Sequence, residues 1–157
     1  MNINYRRAIP SDNSDINNLF IEMIDTINKR MIENGEKPIS GCENGYKEGY
    51  LDTFYINDNR TIFVADNGEK VVGYLSVVIH DNYLYLDDYS VSKQFRGYGI
   101  GSKLIKISEE FANEKCLDII KLHVQNGNHQ SIDFYLRRGY NLINKDEKGM
   151  LLGKKIK

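Results

Sequence analysis

The chain has 157 residues, 41% of them hydrophobic, which suits one domain of ordinary size with a buried core and argues against wholesale disorder. Its 21 basic and 22 acidic side chains leave a net charge of −1, which argues against a nucleic-acid binder working through phosphate contacts. The two cysteines, Cys42 and Cys116, show no metal-ligand spacing with each other or with the three histidines, so no metal is expected. No apolar run approaches membrane-spanning length and Met1 to Arg7 lacks an apolar signal core, so no membrane partner and a reducing cytoplasm are expected. The abundance of Asn, Ile and Lys suggests an AT-rich, bacterial genome.

In chain order, Asn2 to Ala8 alternates Ile3, Tyr5 and Arg7 against Asn4 and Arg6 and reads as a strand ended by Pro10. Ser11 to Asp15 offers several helix N-cap residues, and Ile16, Leu19, Phe20, Met23, Ile24 and Ile27 mark an amphipathic helix to about Asn34-Gly35. Pro38 to Glu43 reads as a loop, and a weaker helix is expected from about Asn44 to Tyr55, with Tyr46, Tyr50, Leu51 and Phe54 on one side. Glu43, Glu48, Tyr46 and Tyr50 could give this stretch an anionic, aromatic site for a cation; a solvated helix is the simpler reading. Thr61 to Ala65 and Lys70 to His80 read as strands around an Asn67-Gly68 hairpin turn. Asp81-Asn82 turns the chain into a strand from Tyr83 to Val91, with Tyr83, Tyr85, Asp87, Tyr89 and Val91 on one face and Leu84, Leu86, Asp88 and Ser90 on the other.

Gln94-Phe95-Arg96-Gly97-Tyr98-Gly99-Ile100-Gly101 follows, and then Ile100, Leu104, Ile107, Phe111 and Ala112 recur at helical spacing to about Asn113–Lys115. Three glycines thus sit on a strand-to-helix turn. Glycine admits positive φ and close approach, and the free amides of a first helical turn bind anions, so the stretch reads as a pyrophosphate cradle. A nucleotide P-loop would need Lys-Ser/Thr after its last glycine, and this chain has Ser102-Lys103. A dinucleotide fold needs a different glycine spacing. Leu117 to Val124 is a further strand and Asn128 to Arg138 a second amphipathic helix stopped by Gly139-Tyr140. Asn141 to Asn144 and Met150 to Ile156 read as final strands around a turn at Lys145 to Gly149. The order is strand, two helices, three strands, helix, strand, helix, two strands, which is α+β in a single domain, residues 1–157.

The cradle fits the pattern Gln/Arg-x-x-Gly-x-Gly/Ala twice, as Arg96…Gly99…Gly101 and Gln94…Gly97…Gly99. Downstream, Asn128-x-x-Ser131-x-x-Phe134-Tyr135-x-x-x-Gly139-Tyr140 is similar to a second pattern, with Ser131 where Ala and Tyr140 where Phe are usual. On these two motifs the chain resembles the GNAT superfamily of N-acetyltransferases, over roughly Lys70 to Tyr140. The resemblance implies a mixed, mostly antiparallel sheet flanked by helices and splayed at its centre, between the strands ending at Val91 and Gln125. It implies acetyl-CoA as cosubstrate. Tyr89, Ser90 and Val91 would pair with the pantetheine arm as an added strand would. The backbone of Arg96, Gly97, Tyr98, Gly99, Ile100, Gly101 and Ser102 would hold the pyrophosphate, the Arg96 side chain contributing only if it turns inward. Asn128 would bond the pantetheine, though capping its helix would alone explain an Asn there.

The implied reaction needs a neutral amine, a polarised thioester carbonyl and a protonated leaving thiolate. A backbone N–H near Val91 suits the second task and Tyr135 the third. For the base, Asp87, Asp88 and His123 are candidates, and water-relayed deprotonation without a dedicated base is an alternative. The acceptor would be a primary amine on a small molecule or peptide. A coenzyme-binding sensor or interaction domain without turnover is the competing reading, and a homodimer is compatible with the family.

Overall fold

The structure is a computed structural model and describes residues 1–156. Its elements are β1 (Asn4–Arg7), α1 (Asn13–Glu33), α2 (Thr53–Ile56), β2 (Arg60–Asp66), β3 (Val71–Ile79), β4 (Tyr83–Val91), α3 (Ile100–Glu114), β5 (Ile119–Gln125), α4 (His129–Arg137), β6 (Asn141–Lys145) and β7 (Gly149–Lys155). The strands form one sheet of seven in the order β1-β2-β3-β4-β5-β7-β6. The β4–β5 pair is parallel, while β1–β2, β5–β7 and β6–β7 are antiparallel, as expected of a mixed α+β sheet. Packing gathers the residues into two compact units, 1–76 with 88–105 and 77–87 with 106 onward.

In the first unit, α1 buries Ile16, Leu19, Phe20 and Ile24, the stripe its apolar spacing predicts. β3 is buried from Val71 through Ser76, which explains its near-continuous apolar run. Two asparagines on α1, Asn17 and Asn28, lie eleven residues or about three turns apart, hence on one side of the helix. Asn28 exchanges two bonds with the backbone of Ile39, at 2.8 and 3.0 Å. Asn17 accepts the Tyr46 amide at 2.7 Å and reaches the Asn44 carbonyl at 3.4 Å. They strap the segment 39–46 along the helix.

The helix expected from Asn44 to Tyr55 is not formed. Only Thr53–Ile56 is helical, and the residues before it make turns. Gly45 and Gly49 explain the difference: their φ of +99° and +83° lie outside the helical region, and a Cβ on Gly45 would run into the Asn17 side chain.

The β3–β4 hairpin carries an irregularity that alternation does not reveal. His80 N–H donates to the Tyr83 carbonyl at 2.9 Å, a register that would set Val72 opposite Val91. Ser92 N–H instead donates to the Val72 carbonyl at 2.8 Å, one residue later. β4 therefore holds one extra residue, a bulge. Asp88 lies where the register changes, and its amide donates to the Ser76 hydroxyl at 3.0 Å. The single alternation expected from Tyr83 to Val91, which set Asp87 with Tyr89 and Val91, does not run through the strand.

In the second unit, β4 and β5 pair from Tyr83↔Ile119 to Leu86↔Leu122. β5 buries Ile120, Leu122 and Val124 on one face and pairs along its whole length with β7.

The start of α1 departs from simple capping. Asp12 stands at the N-cap, but its carboxylate accepts the Ile9 amide at 2.8 Å and a two-pronged bond from Arg6 at 2.8 and 3.0 Å. Arg6 also reaches Asp66 at 3.1 Å. The Arg6 bond holds the Asp12 carboxyl below its ordinary range. A depressed folded pKa stabilises the protein above the unfolded value, near 4, and the contribution is lost as pH falls through the lower folded value. The Asp12 side chain is only 9% exposed. Asp12→Asn should therefore lower the unfolding free energy by about 2 kcal/mol near neutral pH. Urea midpoints of variant and parent should converge as the pH is lowered to about 2.

Candidate active site

The first unit builds the cradle from the end of β4. Ser92 closes onto Val72, a 3-10 turn spans Lys93–Phe95, and the Lys93 amide is fixed by Glu22 at 2.9 Å. The chain then passes through Gly97 at φ +84° and Gly99 at φ +80° into α3. A Cβ on either glycine would meet nothing within 4 Å, so the space above the turn is open. Lys103 N–H is bonded to the Gly99 carbonyl at 3.0 Å. The amides ahead of it, from Gly97 to Gly101, are those an anion can take up, and the α3 macrodipole reinforces them.

Two close approaches hold this turn. A Cβ on Gly101 would collide with the Tyr89 hydroxyl, so the tip of this β4 side chain lies against the α3 backbone. Ile100, 2% exposed, and Leu104 pack over Gly73 of β3, where an added Cβ would stand 3.3 to 3.5 Å from them. Arg96 Nε donates to the Val91 carbonyl at 3.1 Å, so this side chain folds back onto the end of β4. Ser90 is buried, with its hydroxyl 3.4 Å from the Leu19 carbonyl of α1. Tyr98 is 66% exposed and Ser102 lies in the first turn of α3.

The same unit holds a network unforeseen in the sequence. The Tyr46 hydroxyl donates to Asp88 Oδ2 at 2.5 Å and lies 2.8 Å from the Tyr74 hydroxyl. The Tyr46 ring stacks on Phe20 at 3.8 Å and on Tyr50 at 5.0 Å. Arg60 lies over Tyr50 and Phe54, at 5.9 and 5.3 Å from the ring centroids. The aromatic faces suggested for a cationic ligand are thus engaged by one another and by an arginine. Glu48 is exposed, and the Glu43 carboxylate accepts the Gly41 amide.

The second unit holds the remaining candidates. Asn128 is the N-cap of α4 and accepts the Ser131 amide at 3.3 Å, so the capping role is present. Tyr135 lies seven residues on, about two turns, and so on the same side of the helix. It is 6% exposed and meets the rings of Phe134 and Tyr140 edge-on at 5.2 and 5.5 Å. Tyr140 donates its hydroxyl to Glu109 at 3.0 Å, which gives the extra oxygen at this motif position a partner. His123 is exposed and shares a 2.8 Å hydrogen bond with the Tyr85 hydroxyl through Nδ1. Asp87 is half-buried beside the bulge. Among the described residues no group of His, Cys, Asp or Glu could hold a metal ion, and no helix is long and apolar enough to cross a membrane.

A strand edge, a glycine turn opening a helix, and a capped helix carrying Tyr135 are what the two motifs encode. The chain matches the acetyltransferase (GNAT) family over residues 29–140.

The chain belongs to the GNAT family.

It is 36% identical to a thialysine N-epsilon-acetyltransferase of Sus scrofa over 77 residues, 46% of this chain and 45% of that one. It is 39% identical to the Bos taurus protein of the same name over 56 residues, 36% of this chain and 33% of that one. The chain thus spans less than half the length of these curated relatives. Its fold is like that of PaiA N-acetyltransferase from Thermoplasma acidophilum, solved in complex with coenzyme A, with a TM-score of 0.78, 16% identity and 99% of each chain covered.

Nothing in the sequence singles out Tyr74 or Tyr85. Each stands in an ordinary strand pattern, and only pairing across the fold brings one to Tyr46 and the other to His123. In this GNAT chain the cradle has a direct test. Gly99→Val should weaken coenzyme A binding by at least about tenfold in calorimetry, because the side chain enters the open space at a φ that costs about 1–2 kcal/mol for an L-residue. An unchanged dissociation constant would place the pyrophosphate elsewhere.

Proposed function

We propose that the chain is an N-acetyltransferase that moves the acetyl group of acetyl-CoA to a primary amine on a small molecule or peptide. The observation that carries this reading is the cradle: open space above Gly97 and Gly99, with first-turn amides of α3 beneath it. A diphosphate fits such a site by charge and by hydrogen-bond donors. The relatives named for acetylating thialysine at its ε-nitrogen favour a primary amine as acceptor.

In this reading Gly97 to Gly101 hold the pyrophosphate through their amides, and Tyr89 to Val91 offer backbone to the pantetheine arm. Arg96 braces the Val91 end of that edge through its Nε, which bonds the Val91 carbonyl. Asn128 Oδ1 is engaged in the α4 cap, leaving its amide nitrogen for the pantetheine. A backbone N–H near Val91 polarises the thioester oxygen. Tyr135, a phenol that stays protonated near neutral pH, gives its proton to the departing sulfur. The amine arrives as an ammonium, so a proton must leave it before its nitrogen can attack.

Tyr135→Phe removes one oxygen and keeps the ring contacts. Turnover should fall by roughly 10- to 1000-fold with little change in coenzyme affinity. The measurement is release of free thiol from acetyl-CoA with a broad panel of amines. Unchanged turnover would remove Tyr135 from the reaction, and tight coenzyme binding without thiol release from any amine would leave a sensor rather than an enzyme.

A further inference from the structure

The carboxylate of Asp88 is held in a way that a merely exposed acid is not. A carboxylate only accepts hydrogen bonds, so the 2.5 Å contact must carry the Tyr46 proton toward Asp88 Oδ2. The Tyr46 oxygen, having given up its one proton donor, can then only accept from the Tyr74 hydroxyl at 2.8 Å. The chain has one sense, Tyr74 to Tyr46 to Asp88. Its members are placed independently of one another. Tyr74 is fully buried in β3, and Tyr46 is stacked on Phe20 with its amide strapped to Asn17. The Asp88 amide is bound by Ser76 at the β4 bulge.

We propose that Tyr46 is a positioning residue, which keeps Asp88 ionised and aimed and so makes Asp88 the carboxylate that receives the acceptor amine's proton. The assignment of the proton rests on the acetyltransferase reading; the Tyr46–Asp88 coupling does not. Burial first, and then Tyr74 and Asp88, push the Tyr46 phenol far above its ordinary range, so Tyr46 remains a donor at every working pH. Tyr46 of the strapped segment meets the Asp88 carboxylate, Tyr74 of β3 stands behind Tyr46, Ser76 of β3 meets the Asp88 backbone, and Asp87 and Tyr89 flank Asp88 along β4.

The protons balance as follows. An ammonium N–H passes its proton to Asp88, and the freed lone pair forms the C–N bond to the thioester carbon. The C–S bond breaks, and sulfur takes the Tyr135 proton. The nitrogen's second proton replaces the one Tyr135 gave, and Asp88 returns its own to water. One proton reaches solvent for each amide formed.

Tyr46→Phe tests this while keeping the stack on Phe20. A hydrogen bond to a charged group supports an upward shift of the Asp88 pKa of about one to two units. That shift should appear in the carboxyl carbon resonance of 13C-labelled protein, assigned with Asp88→Asn. The acid limb of kcat/KM should move up by the same amount, while the dissociation constant of coenzyme A stays put. Tyr74→Phe should move both in the same direction by less. An unmoved Asp88 titration in Tyr46→Phe overturns the proposal, and so does a moved titration with an unmoved acid limb. If the parent protein binds coenzyme A but acetylates no amine, the acetyltransferase reading falls and Asp88 loses its role as proton acceptor, whereas the carboxyl titration still decides the Tyr46 coupling.

Discussion

The candidate site depends on one close approach, that of the Tyr89 hydroxyl from β4 to the α3 backbone at Gly101. Gly101 lies where any side chain would strike the Tyr89 hydroxyl, and Gly73 lets Ile100 and Leu104 sit down on β3. Arg96 fastens the turn to the Val91 carbonyl, and Ser92 closes the strand onto Val72. These contacts fix where the helix amides stand relative to the strand edge. An anion site at a helix start is common; what gives this one a direction is that the same few residues define both the amides and the edge beside them.

A second constraint acts from α1. That helix buries one side in the core and uses Asn17 and Asn28 to carry an irregular segment along its length. A helix in that segment would satisfy its own backbone groups. Side-chain amides do so here instead, which frees Tyr46 to leave the surface and reach Tyr74 and Asp88. The strap thus joins the most polar part of the first unit to its core. The ordered run of rings from Phe20 through Tyr46 and Tyr50 to Phe54 is the apolar half of the same arrangement.

Much of this could be read in the residues. The order of elements, the hairpin at Asn67-Gly68 and the glycine turn before α3 are local signals, each set by spacing or by the backbone freedom of one residue type. The cap by Asn128 is equally local. What the sequence hid was non-local. The β4 bulge depends on the hydrogen-bond register against β3, which no alternation within Tyr83 to Val91 can report. The Asn44 to Tyr55 stretch has helical apolar spacing, but the positive φ of Gly45 and of Gly49 breaks a helix there. The bond from Arg96 Nε to the Val91 carbonyl is likewise non-local, and no spacing in the glycine turn announces it.

Tyr140 shows how a departure from a family pattern is accommodated. Phe is usual at this place in the motif, and a phenol in a position 1% exposed would be costly if its oxygen found no partner. Glu109 on α3 accepts that hydroxyl at 3.0 Å, and Lys154 on β7 pairs with the same carboxylate oxygen at 3.1 Å. Burial, and then the Glu109 charge, push the Tyr140 phenol well above its ordinary range, so it donates and never competes for a proton. Lys154 in turn runs close to Gly139, where an added Cβ would stand 3.5 Å from its Cε. The extra oxygen is thus met by an acid from α3, which is itself paired with a base from β7. The result is a ring held beside Tyr135, edge-on at 5.5 Å. Restoring Phe at this position alone would leave Glu109 and Lys154 paired over an apolar ring, with the carboxylate short of one donor.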